Sequence, residues 1–227
     1  SGVEVLFPYE FEADEIAALL ELHKLELCLI NLFPGDWERG DRGFGALPHK
    51  REAFCHSVDL GLRYAQDMNA AAVHLMAGIA ERSAENRQCY IDNVRYAADV
   101  VANAGKTLCL EPISTPTIPG YFLNSTWEAV GLIDEIAHPA VKLQLDIFHH
   151  QMTHGDVISA VPTLFDRIGH MQIAGVPDRH EPDLGNLNYA AIFNHLDALE
   201  YNGWVGCEYL PKGKTQEGLS WMAPYQF

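Results

Sequence analysis

Short runs of Val, Leu, Ile and Cys recur along the chain, and between them lie longer stretches whose apolar residues fall three and four apart. The short runs predict strands over residues 3–7, 25–31, 71–76, 107–111, 141–146, 168–173 and 205–208. The spaced stretches predict helices over 14–24, 50–67, 83–104, 156–165 and 215–221, with two more opening at Ser125 and Asn188. Over 83–104 the residues Ile91, Val94, Ala98 and Val101 share one face, and Gly105 stands where a C-cap belongs. Ser125 and Glu128 form a capping box ahead of the stripe Ala129, Leu132, Ile133 and Ile136.

Seven strands, each followed by a helix, imply parallel pairing through right-handed crossovers. No linker or low-complexity segment interrupts the alternation, so residues 1–227 are expected to form a single barrel domain. A doubly wound open sheet is the rival, but its Gly-rich turn after a strand is missing. The fold class expected is therefore α/β, a (β/α)8 TIM barrel. Seven strands fall one short of eight, and the chain begins directly on a strand. The first βα unit is read as missing from this chain and Ser1 as a truncated start, because an unclosed barrel exposes two strand edges.

The formal net charge is −16, which repels phosphate backbones and anionic lipid, so neither nucleic acid nor membrane is an expected partner. A bound divalent cation would reverse that sign locally and admit an anionic substrate. No apolar run reaches the roughly 20 residues that span a bilayer. Residues 1–8 lack the basic region of a signal peptide. The five cysteines are odd in number and widely spaced; they read as small hydrophobes in a reducing compartment, and a cytoplasmic location is expected.

The candidate chemistry lies at the ends of the later strands. Leu108-Cys109-Leu110 ends at Glu111, Leu143-Gln144-Leu145 at Asp146, His170-Met171 leads to Gln172, and Gly206-Cys207 ends at Glu208. The spacings of 35, 26 and 36 residues are about one βα unit each. In a barrel, the C-terminal strand ends ring the face that carries the active site. Three carboxylates and a carboxamide crowded there repel one another unless a cation joins them. They form an oxygen-rich site for a hard divalent metal, Mg²⁺ or Mn²⁺. His149, Arg179, His180, His74 and Lys212 are candidate substrate contacts. Arg179 offers a fork for a carboxylate, while Lys212 also reads as a solvated lysine and His74 as a core residue. Trp37 is a candidate for closing the site against water, and Glu4 for lining it. No His-Glu-x-x-His pattern supports a zinc hydrolase.

The segments FPYEF (7–11), NLFPGDW (31–37), LEPIS with IPGYFLN (110–124), LQLDIFHHQ (143–151), HMQIAGVPDRHEPDLGNLNY (170–189) and GWVGCEYLPKG (203–213) resemble the hydroxypyruvate isomerase family, within the xylose-isomerase-like barrels. The resemblance runs from the first residues to the last. It implies a metal-dependent isomerase converting hydroxypyruvate to 2-hydroxy-3-oxopropanoate (tartronate semialdehyde) by proton transfer through an enediolate. It implies that Glu111 and Glu208 are both ligands and proton carriers, with Asp146 and Gln172 as the remaining ligands. The alternatives weighed are an isomerase of 2-oxo-tetronate or another small sugar or sugar acid and, more remotely, an endonuclease of the same superfamily. The expected partner is a small hydroxy-oxo acid or sugar acid, and assembly into a homo-oligomer is left open.

Overall fold

A computed structural model describes residues 1–225. Its elements in chain order are β1 (Gly2–Val5), α1 (Ala13–His23), β2 (Glu26–Asn31), α2 (Arg51–Asp67), β3 (Ala72–His74), α3 (Ala84–Asn103), β4 (Thr107–Leu110) and α4 (Thr126–Ile136). There follow β5 (Val141–Asp146), α5 (Ile147–His154), α6 (Val157–Leu164), β6 (Ile168–Ile173), α7 (Tyr189–Ala198), β7 (Val205–Cys207) and the short α8 (Thr215–Gly218). The seven strands form one parallel sheet in the order β1 to β7. The expected alternation therefore holds, with most boundaries moved by a residue or two and the last helix ending at Gly218 instead of residue 221.

Local chemistry accounts for the helix ends. The Ser83 and Ser125 hydroxyls accept from the backbone N–H groups of Asn86 and Glu128, and the Asn188 side chain accepts from Ala191 N–H. Gly105 adopts a φ of 68° just past α3, the left-handed conformation that a C-cap requires. The sequence reading passes over α5. That helix starts without a loop after β5, and Ile147, Phe148, His149 and His150 are all buried, so no amphipathic stripe announces it.

Two faces of the sheet are buried by different partners. Ile30, Val73, Leu108, Leu110, Leu143, Leu145 and Met171 point outward into the main core with Val94, Val101, Leu132, Val161 and Ile192 of the helices. Alternate positions point the other way, where Leu29, Ala72 and Cys109 form a small inner cluster. The same alternation carries Asn31, His74, Glu111, Asp146 and Gln172 to the inner side, one step nearer the C-terminal strand ends. The sheet is curled far enough for its ends to meet through side chains. The Glu4 carboxylate of β1 contacts His170 Nε2 and accepts from Gln172 Nε2 at 2.9 Å, both on β6. Gly206 on β7 makes room for this approach, since a Cβ there would collide with the Glu4 carboxylate. The strands thus form a nearly closed TIM barrel.

Candidate active site

Asp146 ends β5 directly opposite Gln172 of β6, as register partners. Gln172 in turn is opposite Gly206, and Glu208 follows β7 by one residue. Glu111 follows β4 by one residue. The parallel register therefore delivers the four strand-end residues to one face of the barrel, as the sequence spacing requires.

A chain of contacts joins them. Gln172 Nε2 donates to Glu208 Oε2 at 2.8 Å as well as to Glu4. Arg179 Nη2 stands 3.0 Å from Glu208 Oε1 and 3.2 Å from Asp146 Oδ2. His149 Nε2 lies 3.5 Å from Asp146 Oδ2 and 3.8 Å from Glu111 Oε1. Asp146 Oδ1 also accepts from Phe148 N–H at 2.8 Å, so this carboxylate caps α5 and thereby places His149 one turn away. Arg179 is held by its backbone at a φ of 57°, a strained conformation kept by 2.7 Å bonds from Arg179 N–H to Gly175 O and from Leu210 N–H to Arg179 O.

A cavity of about 250 Å³ opens above these groups. Glu111, Glu208, His74, His149 and Arg179 line its inner part. Phe7, Trp37 and Arg42 line its wetter side, and Trp37 packs on Phe7 with ring centroids 5.1 Å apart. Asp146 and Gln172 lie just behind this lining, at 2% and 0% exposure. Of the other residues singled out from sequence, His180 bonds the Leu210 carbonyl, and exposed Lys212 lines a separate surface groove beside Glu181. Neither lines the cavity. The Glu181 carboxylate accepts from Lys212 N–H at 3.1 Å and fixes that loop.

Burial and mutual repulsion set the electrostatics of these groups. Burial first, then the Glu208 and Asp146 carboxylates, push Glu111 well above the usual carboxylate range. Burial pushes Glu208 up to about 7 against the pull of Arg179. Burial holds His74 down to about 3 and His149 down to about 4, so both rings are neutral near pH 7. Neutral His74 has its Nδ1 3.1 Å from Asn31 Oδ1, while its buried Nε2 has no partner among the described residues.

Several buried oxygens that oppose one another's ionisation fit a hard divalent cation. Glu111, Asp146 and His149 each offer a donor atom within 4.8 Å of the others, and Gln172 and Glu208 adjoin them. The sequence reading missed Arg42 and Gln144. Gln144 Nε2 donates to Gln172 Oε1 at 2.6 Å and orients that amide. Gln144 sits in an apolar run, one inward step before Asp146, and its polar side chain between Leu143 and Leu145 is the sign it leaves in the sequence.

Comparisons with known proteins agree with this architecture. The family model described as xylose isomerase-like TIM barrel matches residues 1–225. A 2-oxo-tetronate isomerase of Cupriavidus necator is 42% identical over 99% of this chain and 87% of its own length. The hydroxypyruvate isomerase of Escherichia coli is 38% identical over 99% of this chain and 88% of its own. A crystal structure described as AP endonuclease, family 2, from Brucella melitensis superposes with a TM-score of 0.96 at 45% identity, covering 100% of this chain and 88% of that one. The chain belongs to the xylose isomerase-like TIM barrel family.

Proposed function

We propose that the protein is a divalent-metal-dependent isomerase that interconverts hydroxypyruvate and 2-hydroxy-3-oxopropanoate. The observation that carries this reading is the meeting of Glu111, Asp146, Gln172 and Glu208 beside one cavity at the strand ends. Glu111, Asp146 and Glu208 would hold the cation, Mg²⁺ or Mn²⁺, with His149 close by, and Gln172 would join them through Oε1 once its amide turns that oxygen from Gln144 toward Glu208. When bound, such a cation polarises a carbonyl and makes the neighbouring C–H more acidic.

The chain's own residues supply the proton steps. Hydroxypyruvate carries a ketone at C2 beside a CH2OH at C3. One of the two cavity-facing glutamates, Glu111 or Glu208, takes a proton from C3, the C–H electrons form the C2–C3 double bond, and the C2 carbonyl pair moves onto O2. The other glutamate returns a proton to C2 through the C2–C3 pair, while the C3 hydroxyl proton passes to O2, leaving an aldehyde at C3 and a hydroxyl at C2. Burial raises both carboxyls in the metal-free protein, and a bound cation would lower them again while making the substrate C–H more acidic. His74 Nε2, a buried acceptor on the cavity wall, suits a substrate hydroxyl. Trp37 and Phe7 shield the cavity from water.

A second reading keeps the chemistry and lengthens the substrate. The Cupriavidus relative is a 2-oxo-tetronate isomerase, and a cavity of about 250 Å³ has room beyond a three-carbon acid. A nuclease reading has little support, because a chain at −16 lacks the basic footprint of nucleic-acid recognition. Metal-loaded protein is to be given each acid separately and the products followed by proton NMR. Turnover of hydroxypyruvate supports the first reading and turnover of 2-oxo-tetronate alone the second. Inertness toward both with metal bound rejects the isomerase.

A further inference from the structure

Two arginines face the cavity, and they differ in what already holds them. Arg179 shares Nη2 between Asp146 and Glu208 and turns Nη1 to His149 at 3.1 Å. Moving this fork onto a ligand would break two ion pairs and leave buried carboxylates uncovered.

Arg42 is in the opposite condition. Its guanidinium stacks on the Trp37 ring, 3.7 Å from the centroid. Its Nη1 donates to the Trp37 and Asp41 carbonyls at 2.9 and 2.7 Å. Those contacts fix the plane of the fork. They leave Nε and Nη2 without a protein acceptor, and no carboxylate stands within ion-pair reach of Arg42 among the described residues. Most other arginines of this acidic chain do pair with Asp or Glu. A preorganised, half-buried cation with an open edge on a cavity wall is the arrangement that takes a carboxylate in two parallel hydrogen bonds. Its place also suits the substrate's own geometry. The reacting carbons belong with Glu111 and Glu208 at the inner part, so the carboxylate on C1 projects toward the wetter side where Arg42 and Trp37 stand.

We infer that Arg42, braced on Trp37, is the residue that binds the substrate carboxylate. This rests on the reading of the substrate as a 2-oxo acid and holds for either acid considered above. The test compares metal-loaded wild type with Arg42→Gln and Arg42→Lys. Two substrates are used: hydroxypyruvate and neutral 1,3-dihydroxyacetone, which has the same ketone beside a CH2OH but no carboxylate. Tartronate, a hydroxy diacid that cannot isomerise, is titrated by calorimetry as a binding probe independent of turnover.

In Arg42→Gln, KM for hydroxypyruvate and Kd for tartronate are expected to rise roughly 10- to 100-fold, the range of a charge-assisted hydrogen bond, with kcat and the dihydroxyacetone KM little changed. Arg42→Lys should recover part of the loss, because it keeps the charge and loses the fork. Unchanged tartronate binding, or equal losses on the acid and the neutral substrate, overturns the inference. A wild type that binds tartronate through Arg42 yet leaves hydroxypyruvate unreacted would reject the isomerase and keep the Arg42 assignment. An Arg42→Gln variant that keeps the wild-type KM for hydroxypyruvate and the wild-type Kd for tartronate would do the reverse.

Discussion

Gln172 on the sixth strand donates its amide to the Glu4 carboxylate of the first strand at 2.9 Å, across 168 positions of sequence. The bond ties the first strand to the sixth across the inside of the curled sheet. It also orients the amide between Glu4 and Glu208, so one side chain takes part both in drawing the barrel closed and in shaping the site. Glu4→Leu removes the acceptor for Gln172 Nε2 and the partner of His170. We expect a loss of about 1–3 kcal/mol for each group left unpaired, measured by urea unfolding of the metal-free protein. Unaltered stability would show that the sheet ends are held together by other means.

The two cavity glutamates carry the proton steps in the proposed reaction. Glu111→Gln and Glu208→Gln are each expected to lower kcat at least roughly 10²-fold, the low end for losing general acid–base catalysis. Steady-state rates at saturating metal, with metal content measured, check this. A near-normal rate in either metal-loaded variant would remove that residue from the proton relay.

Asp146 has two separable duties. Its Oδ1 caps α5 through Phe148 N–H, and its Oδ2 faces Arg179 and His149. Asn is as good a cap as Asp, whereas loss of a cap typically lowers stability by about 1 kcal/mol. Asp146→Asn should therefore keep α5 and lose metal affinity, while Asp146→Ala should lose both. Melting curves and Mn²⁺ titration of the two variants separate the duties. Equal melting temperatures for the Asn and Ala variants would contradict a capping role.

The pH dependence is expected to steepen with metal. His74, His149 and His150 are depressed to about 3, 4 and 4, chiefly by burial. Their contribution to stability is present above the unfolded value near 6.5 and is lost as pH falls toward 4. Glu208, raised to about 7, and Glu111, raised well above its usual range, act oppositely. Their contribution is present below the unfolded value near 4.5 and is lost as pH rises, for Glu208 toward 7. The two sets partly offset each other in the metal-free protein. A cation that needs ionised carboxylates reverses the second set. The melting temperature should thus fall more steeply between pH 7 and 5 with Mg²⁺ than without it, and binding should release protons. Parallel curves, or no proton release in calorimetry across two buffers, would contradict this.

How much of this was legible in the sequence depends on what set each feature. Glu111, Asp146 and Glu208 were legible because each terminates an apolar run, and the βα alternation forces successive strand ends onto one face. Gln144 was not singled out, because strands buried on both sides read as continuous apolar runs that hide which residue faces inward. The helix from Ile147 to His154 escaped because burial around its first turn removes the 3.6-residue period. Arg42 sits in an aperiodic loop, and only the folded chain shows that Trp37 lies beneath it. His180 and Lys212 follow strands closely in sequence, which suggested the cavity. Their loop is drawn aside instead by bonds to Leu210 O and the Glu181 carboxylate.

The most direct test of the metal site is a Mn²⁺ titration of the metal-free chain, repeated on a variant with Glu111→Gln and Glu208→Gln together. We predict one tight Mn²⁺ per wild-type chain. In the double variant we predict affinity weakened beyond the roughly 10- to 100-fold that outer partners of a metal site carry. Equal affinity in the two proteins, or no stoichiometric binding to the wild type, would contradict a shared cation among these strand ends.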